Sequence, residues 1–167
     1  MINLCLIQNV KPNICRLEGY ESWFFIESFA LGVSNGNGDS ETTSFSQLKL
    51  VKVIDGCTPQ LMKVCCNGAS LSALEIEVLE TSGSGIEATA QTIFKLKFGS
   101  LKVDEWTIDQ TTESITLTYR KVACQFSQGK CDYTTLQTSY TDTAMMGWQL
   151  YSDADQKSRA GGAWDGK

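Results

Sequence analysis

Histidine is missing from all 167 residues, so the commonest general base and metal ligand is not available to this chain. The nucleophile and ligand candidates that remain are seven cysteines: Cys5, Cys15, Cys57, Cys65, Cys66, Cys124 and Cys131. Their number is odd and no two form a C-x-x-C pair, which argues against a disulfide framework and against a zinc site. Most alternate in phase with apolar neighbours and read as small buried side chains. Cys65 and Cys66 are adjacent on a helical stretch and cannot both face a core, so one is expected to be accessible. Among the carboxylates, Asp104 and Glu105 lie on a strand pattern and point to opposite faces. Glu75 and Glu77 share a face and read as its solvated side. Gly36-Asn37-Gly38 is not followed by a helix, so it is no dinucleotide fingerprint. Nucleophile-elbow, phosphate-loop and zinc-protease motifs do not occur. The residues therefore support no enzyme, no catalytic centre, no cofactor and no metal, which leaves binding or assembly.

The element that organises the rest is a short helix between two strands, within residues 44–78. Thr58 is expected as its N-cap and Pro59 as its first helical residue, where the missing N–H costs nothing. Leu61, Val64 and Cys65 follow at helical spacing, and Asn67-Gly68 supplies the left-handed residue that ends such a helix. So short a helix is unstable alone and must dock on the strands around it.

The rest of the chain reads as β. Residues 1–10 carry Leu4, Leu6 and Ile7 on both faces, as a buried strand would. Residues 18–33 are rich in aromatic and branched side chains. Within them Phe29 and Leu31 share one face, while Ser28, Ala30 and Gly32 make the other unusually small. Residues 34–43 form a polar, glycine-bearing loop longer than a usual hairpin connection. Strands are expected around Leu74-Ile76-Val78, over 89–98 and over 101–108. Along 114–126 the apolar parity switches at Arg120-Lys121, which predicts a bulge or corner. Residues 127–142 read as loop, Met146, Trp148 and Leu150 as a last strand, and 154–167 as a glycine-rich tail. One domain, residues 1–153, is expected, of mainly β class with one helix on its side.

A net charge of −5 argues against nucleic acid and anionic membrane as partners. No stretch has the roughly 18–20 apolar residues of a spanning helix, and the N-terminus lacks the basic region of a signal peptide. The expectation is a protein made in the cytoplasm without a cleaved signal.

Four segments carry a resemblance. They are SFALGVS with the polar loop after it, FSQLKLVKVIDGCTPQLMKVCCNGASLSALEIEV, TESITLTYRKVACQF, and GWQLYSD. In this order and spacing the chain resembles the Hcp family, the tube proteins of the bacterial type VI secretion system. The most specific part is Asp55, Thr58-Pro59, Leu61-Met62, Cys65-Cys66 and Gly68 around the helix.

The resemblance implies a compact β-barrel of two sheets with one short helix on its side. It implies homohexameric rings that stack into a tube, driven by a contractile sheath behind a spike protein. Small effector proteins travel in the lumen, and the tube protein is secreted or delivered into a target cell. In that picture Ser28, Ala30 and Gly32 face the lumen. The loop Ser34, Asn35, Gly36, Asn37, Gly38, Asp39, Ser40 and Glu41 makes the contact between stacked rings. Ala30 stands where the family commonly has serine. Two alternatives stay open: a secreted Hcp-like effector or carrier module that does not polymerise, and a tail-tube protein of a phage-related contractile particle. An assembling chain of this kind is expected to bury more than roughly 1,000 Å² laterally and to stack through polar surface.

Overall fold

Alternation of apolar and polar residues along most of the chain produces a single coiled sheet of ten strands. The computed structural model describes residues 1–11, 15–35, 43–82, 89–126, 134–140 and 145–152. The tail 154–167, the loop residues 36–41 and Cys131 lie outside these. Strand β1 (Ile2–Ile7) pairs antiparallel with β7 (Ser70–Ser82), and β7 with the 21-residue β8 (Thr89–Asp109). The free edge of β8 serves two partners in succession. Its second half pairs with β9 (Thr112–Thr118), and residues 94–99 pair with β10 (Lys121–Phe126). From β9 the sheet continues to β6 (Leu48–Val53) and β3 (Ser28–Ala30). From β10 it continues to β11 (Thr134–Tyr140) and β12 (Met145–Ser152). The two layers implied by the resemblance are thus joined through β8.

Strand pairing alone leaves the sheet open, and residues 24–30 bridge its margins. Their first part, β2 (Phe24–Phe25), pairs with β1, and their last part is β3 on β6. Between them the Ile26 amide donates to the Asn3 carbonyl and the Glu27 amide to that of Val51. The apolar stretch expected as one strand is therefore broken where it changes partner.

The corner expected at Arg120-Lys121 is present. Strand β9 stops at Thr118, β10 starts at Lys121, and the Arg120 amide donates to the Gly99 carbonyl. Opposite it Ser100 takes a left-handed φ of 55° within β8. The stretch 134–140, expected as loop for its polarity, is strand β11, because the open edge of β10 supplies backbone partners that composition does not reveal.

Helix α1 (Thr58–Asn67) begins one residue earlier than expected. Cys57 is its N-cap residue, and the turn before it is held by Asp55, whose carboxylate accepts from the Cys57 amide at 2.9 Å. Thr58 is already helical and its hydroxyl is used elsewhere. Gly68 ends the helix at φ 60°, a conformation that glycine adopts without steric cost. Leu61 and Cys57 join the main core with Leu50, Leu74, Phe98 and Ile115. A second, smaller core lies outside β1 and β7, where Cys15 and Trp23 cover Leu4 and Leu79. That cover explains why β1 is apolar on both faces.

Candidate assembly surface

Register carries the small face of β3 across three further strands. Ser28 lies opposite Val51 and Ala30 opposite Lys49, so these four share one side of the sheet. Across β6, Lys49 faces Thr116 and Val51 faces Ser114. Across β9, Thr116 faces Glu105 and Ser114 faces Thr107. The inward parity of the same strands holds Leu48, Leu50, Ile115 and Leu117, all fully buried. The outward parity is therefore a broad surface of Ser, Thr and Ala from β3, β9 and β8, crossed by Lys49, Val51 and the exposed Val53 of β6. Ser28 and Ala30 are exposed on it. Gly32 lies past the end of β3, where its amide donates to Ser46 Oγ at 2.6 Å and its carbonyl accepts the Ser46 amide.

The long loop starts later than expected. Ser34 and Asn35 belong to strand β4 (Val33–Asn35), which pairs with β5 (Thr43–Phe45) in a separate two-stranded hairpin. Residues 36–41 lie outside the described residues. Phe45 anchors the hairpin by an edge-on contact with Tyr119, centroids 6.4 Å apart. Beside that anchor Phe29, Leu31, Phe45, Phe94, Leu96 and Val122 line a largely apolar cleft of about 500 Å³.

Two buried polar clusters hold these surfaces in place, and neither was expected. Lys52 and Glu113 occupy inward positions and are fully buried. Lys52 Nζ lies 2.7 Å from Glu113 Oε1 and 2.8 Å from Asp55 Oδ1. Thr58 Oγ1 donates to Glu113 Oε1 at 2.7 Å, and Trp106 Nε1 donates to Oε2 at 2.6 Å. The cluster thereby ties the start of α1 to β6, β8 and β9. Burial pulls the Lys52 ammonium down, but its bonds to Asp55 and Glu113 outweigh this and leave it raised. Cys57 donates its thiol to Asp55, and burial with that bond pushes it up to about 12. It is a neutral, structural thiol rather than a nucleophile.

Glu77 corrects the expectation that it is solvated: it is 4% exposed. The covering segment brings Tyr20, whose hydroxyl donates to Glu77 Oε2 at 2.6 Å, and Lys95 Nζ lies 2.5 Å from Oε1. Burial pushes the Glu77 carboxyl up, while Lys95, Tyr20 and Thr92 together bring it below its ordinary value. A depressed carboxyl stabilises the fold fully above its unfolded pKa, roughly 4.3, and that contribution is lost as pH falls through the folded value. E77Q is expected to flatten the acid side of the stability–pH curve in that window, measured by urea denaturation at a series of pH values. An unchanged curve would mean that Glu77 does not set acid sensitivity. Glu75 is half-buried beside Lys97 at 3.4 Å. Asp104 and Glu105 are exposed but do not take opposite faces as expected: a bulge between Val103 and Glu105 sets Glu105 opposite Thr116 while Asp104 accepts from Thr118, both on the outward side. Of the adjacent cysteines, Cys66 is exposed and Cys65 half-buried. Among the described residues no group of three potential metal ligands comes together.

Comparison with known proteins bears on the fold and on kinship. A family model described as "Type VI secretion system effector, Hcp" matches residues 14–126. Hcp1 from Salmonella typhimurium superposes with a TM-score of 0.66 at 14% identity, over 87% of this chain and 98% of that one. Secreted protein Hcp3 from Pseudomonas aeruginosa gives 0.65 at 16%, over 84% and 99%. A type VI secretion system effector from Yersinia pestis gives 0.62 at 11%, over 90% and 98%. No curated protein matches by sequence.

Proposed function

The chain belongs to the Hcp family of type VI secretion proteins, and from that premise we propose that it is the structural subunit of a secretion tube. Homohexameric rings stack into the tube, a contractile sheath propels it behind a spike protein, and small effector proteins ride in its lumen. The observation that supports this reading is the outward, largely Ser/Thr/Ala surface that β3, β9 and β8 present on either side of Lys49, Val51 and Val53 of β6. Such a surface is too polar to be a core, and it suits the wall of a wide channel. Ser28 and Ala30 belong to that wall and Gly32 adjoins it past the end of β3, and no residue acts as a catalyst. In this reading the loop 34–41, carried by the hairpin of β4 and β5, makes the contact with the adjacent ring. Ring closure requires heterologous contacts, and the apolar cleft beside the loop and the outer edge of β12 are the surfaces that supply them. The protein is cytoplasmic before firing and extracellular, or inside a target cell, afterwards.

Purified protein is expected to run at the mass of about six chains and to give annuli in negative stain. Deleting residues 36–40 should leave these rings intact and abolish longer stacks. A monomer at high concentration overturns the ring. Rings that never stack, even with the loop intact, favour the non-polymerising carrier, a reading consistent with the word "effector" in the family description.

A further inference from the structure

We propose that residues 15–23 form an acid-released strap across the outside of β1 and β7, fastened to the sheet at Glu77. The segment bonds its backbone to itself: the Tyr20 amide donates to the Leu17 carbonyl, and the Trp23 amide to that of Tyr20. Among the described residues no backbone bond joins 15–23 to β1 or β7, and pairing with β1 starts only at Phe24. Packing supplies the rest. Cys15 and Trp23 cover Leu4 and Leu79, and Tyr20 meets Trp23 edge-on with centroids 5.2 Å apart. Among the described residues the one polar fastening to the sheet is Tyr20. Its hydroxyl donates to Glu77 Oε2 at 2.6 Å and lies 3.1 Å from Thr92 Oγ1.

A segment held this way opens more easily than the strands beneath it, because few bonds have to break. Its fastening is a carboxylate, so the release follows pH. Glu77 is faced by Lys95 and Thr92 from β8, by Leu4 from β1 and by Tyr20 from the strap. The neighbouring ion pair on that face is Glu75 with Lys97. Arg16 and Glu18 make no ion pair among the described residues. Glu21 is exposed, and its own amide with that of Gly19 holds its carboxyl low. Against the upward push of burial, Lys95, Tyr20 and Thr92 hold the Glu77 carboxyl below its ordinary value. The closed strap is therefore favoured fully above roughly 4.3 and loses this support as pH falls through the closed-state value. Burial and Glu77 push Tyr20 up, so it stays a neutral donor over that range. A protonated Glu77 accepts more weakly from Tyr20 and no longer pairs with Lys95, while opening returns all three to water. Release bares Leu4 and Leu79, which the closed strap leaves 0% and 1% exposed, as an apolar strip offered only in acid. This inference concerns the outer face of the sheet and does not rest on the tube reading.

Thiol labelling of the full-length protein tests it, because Cys15 is buried under the strap while Cys66 is exposed. The reagent is 4,4′-dithiodipyridine, which works in acid, applied from about pH 7 down to about pH 3 to span the carboxylate range, with each site located by peptide mass spectrometry. Cys66 sets the intrinsic rate at each pH. Relative to it, Cys15 is expected to be protected at neutral pH and to become reactive as pH falls through the Glu77 titration. Cys5 and Cys57, both fully buried in the main core, should stay protected there. E77Q should raise the relative Cys15 rate at neutral pH by at least about tenfold, for loss of a charge-assisted bond, and remove its pH dependence. Should E77Q fail to fold, Y20F unfastens the strap alone and should raise that rate likewise. E21Q should keep the acid release as it is. The proposal is overturned if Cys15 and Cys5 become reactive together, since the barrel then opens as a whole. It is equally overturned if Cys15 stays protected throughout, if E21Q abolishes the release, or if E77Q and Y20F leave Cys15 protected.

Discussion

Replacing Glu113 with alanine is expected to remove about 3–5 kcal/mol of folding stability, read as a lowered urea midpoint at pH 7. The size follows from what the substitution leaves behind. Glu113 and Lys52 are both fully buried, and Glu113 takes bonds from Lys52, Thr58 and Trp106. Without the carboxylate, Lys52 keeps Asp55 and the Val53 carbonyl, at 2.8 Å each, so it is not wholly abandoned. The Trp106 N–H and the Thr58 hydroxyl lose their acceptor, which adds the cost of unsatisfied buried donors. The paired change K52M/E113L removes both charges and fills similar volume, so it is expected to cost clearly less than E113A, although Trp106 and Thr58 still lose their acceptor and Asp55 its cation. A single substitution as mild as the pair would show that the cluster is wetter than its burial implies. Raising the pH tests the same cluster from the other side. The raised Lys52 pKa gives a contribution complete below about 10.4 and lost as pH climbs through the folded value.

The buried clusters left only partial traces in the sequence. Lys52 continues the inward parity of Leu48 and Leu50, and Glu113 that of Ile115 and Leu117. Two opposite charges at inward positions, 61 residues apart, can meet only if their strands are neighbours. Pairing is a tertiary fact, and alternation does not supply it. Glu77 was misread for a related reason. Its side of β7 is outward in the barrel, yet residues 15–23 fold over it, and the one hint was β1 with apolar side chains on both faces. The helix was legible because Pro59 and Gly68 act locally, although the cap moved to Cys57 once the Thr58 hydroxyl was claimed by Glu113. The corner was legible because a parity switch records an inserted residue directly. The outward Ser/Thr surface was legible only at β3. Its extension to Lys49, Thr116 and Glu105 depends on register across four strands, which a period of two leaves free to slip.

Phe24→Ala is the substitution expected to show what holds the two margins of the sheet together. Phe24 is fully buried, opposite Cys5, on the segment that joins the two sheet margins. Truncating so large a core side chain costs about 3–5 kcal/mol by lost transfer energy and residual cavity. Its ring also lies 5.6 Å from Lys52 Nζ, so the loss reaches the buried cluster. The neighbouring Phe25 is 44% exposed and opposite Leu4, and F25S should cost far less. The bridge holds only through short pairings, two residues on β1 and three on β6. Weakening it should therefore loosen the Ile26 and Glu27 amides before the rest, seen as faster hydrogen exchange there than in β7 and β8. Because β3 presents Ser28 and Ala30, the same variant should lose rings at concentrations where F25S keeps them, if those residues line the channel. Equal stability and equal exchange in the two variants would mean that the margins are held together by the core alone, and that residues 24–30 merely cover the seam.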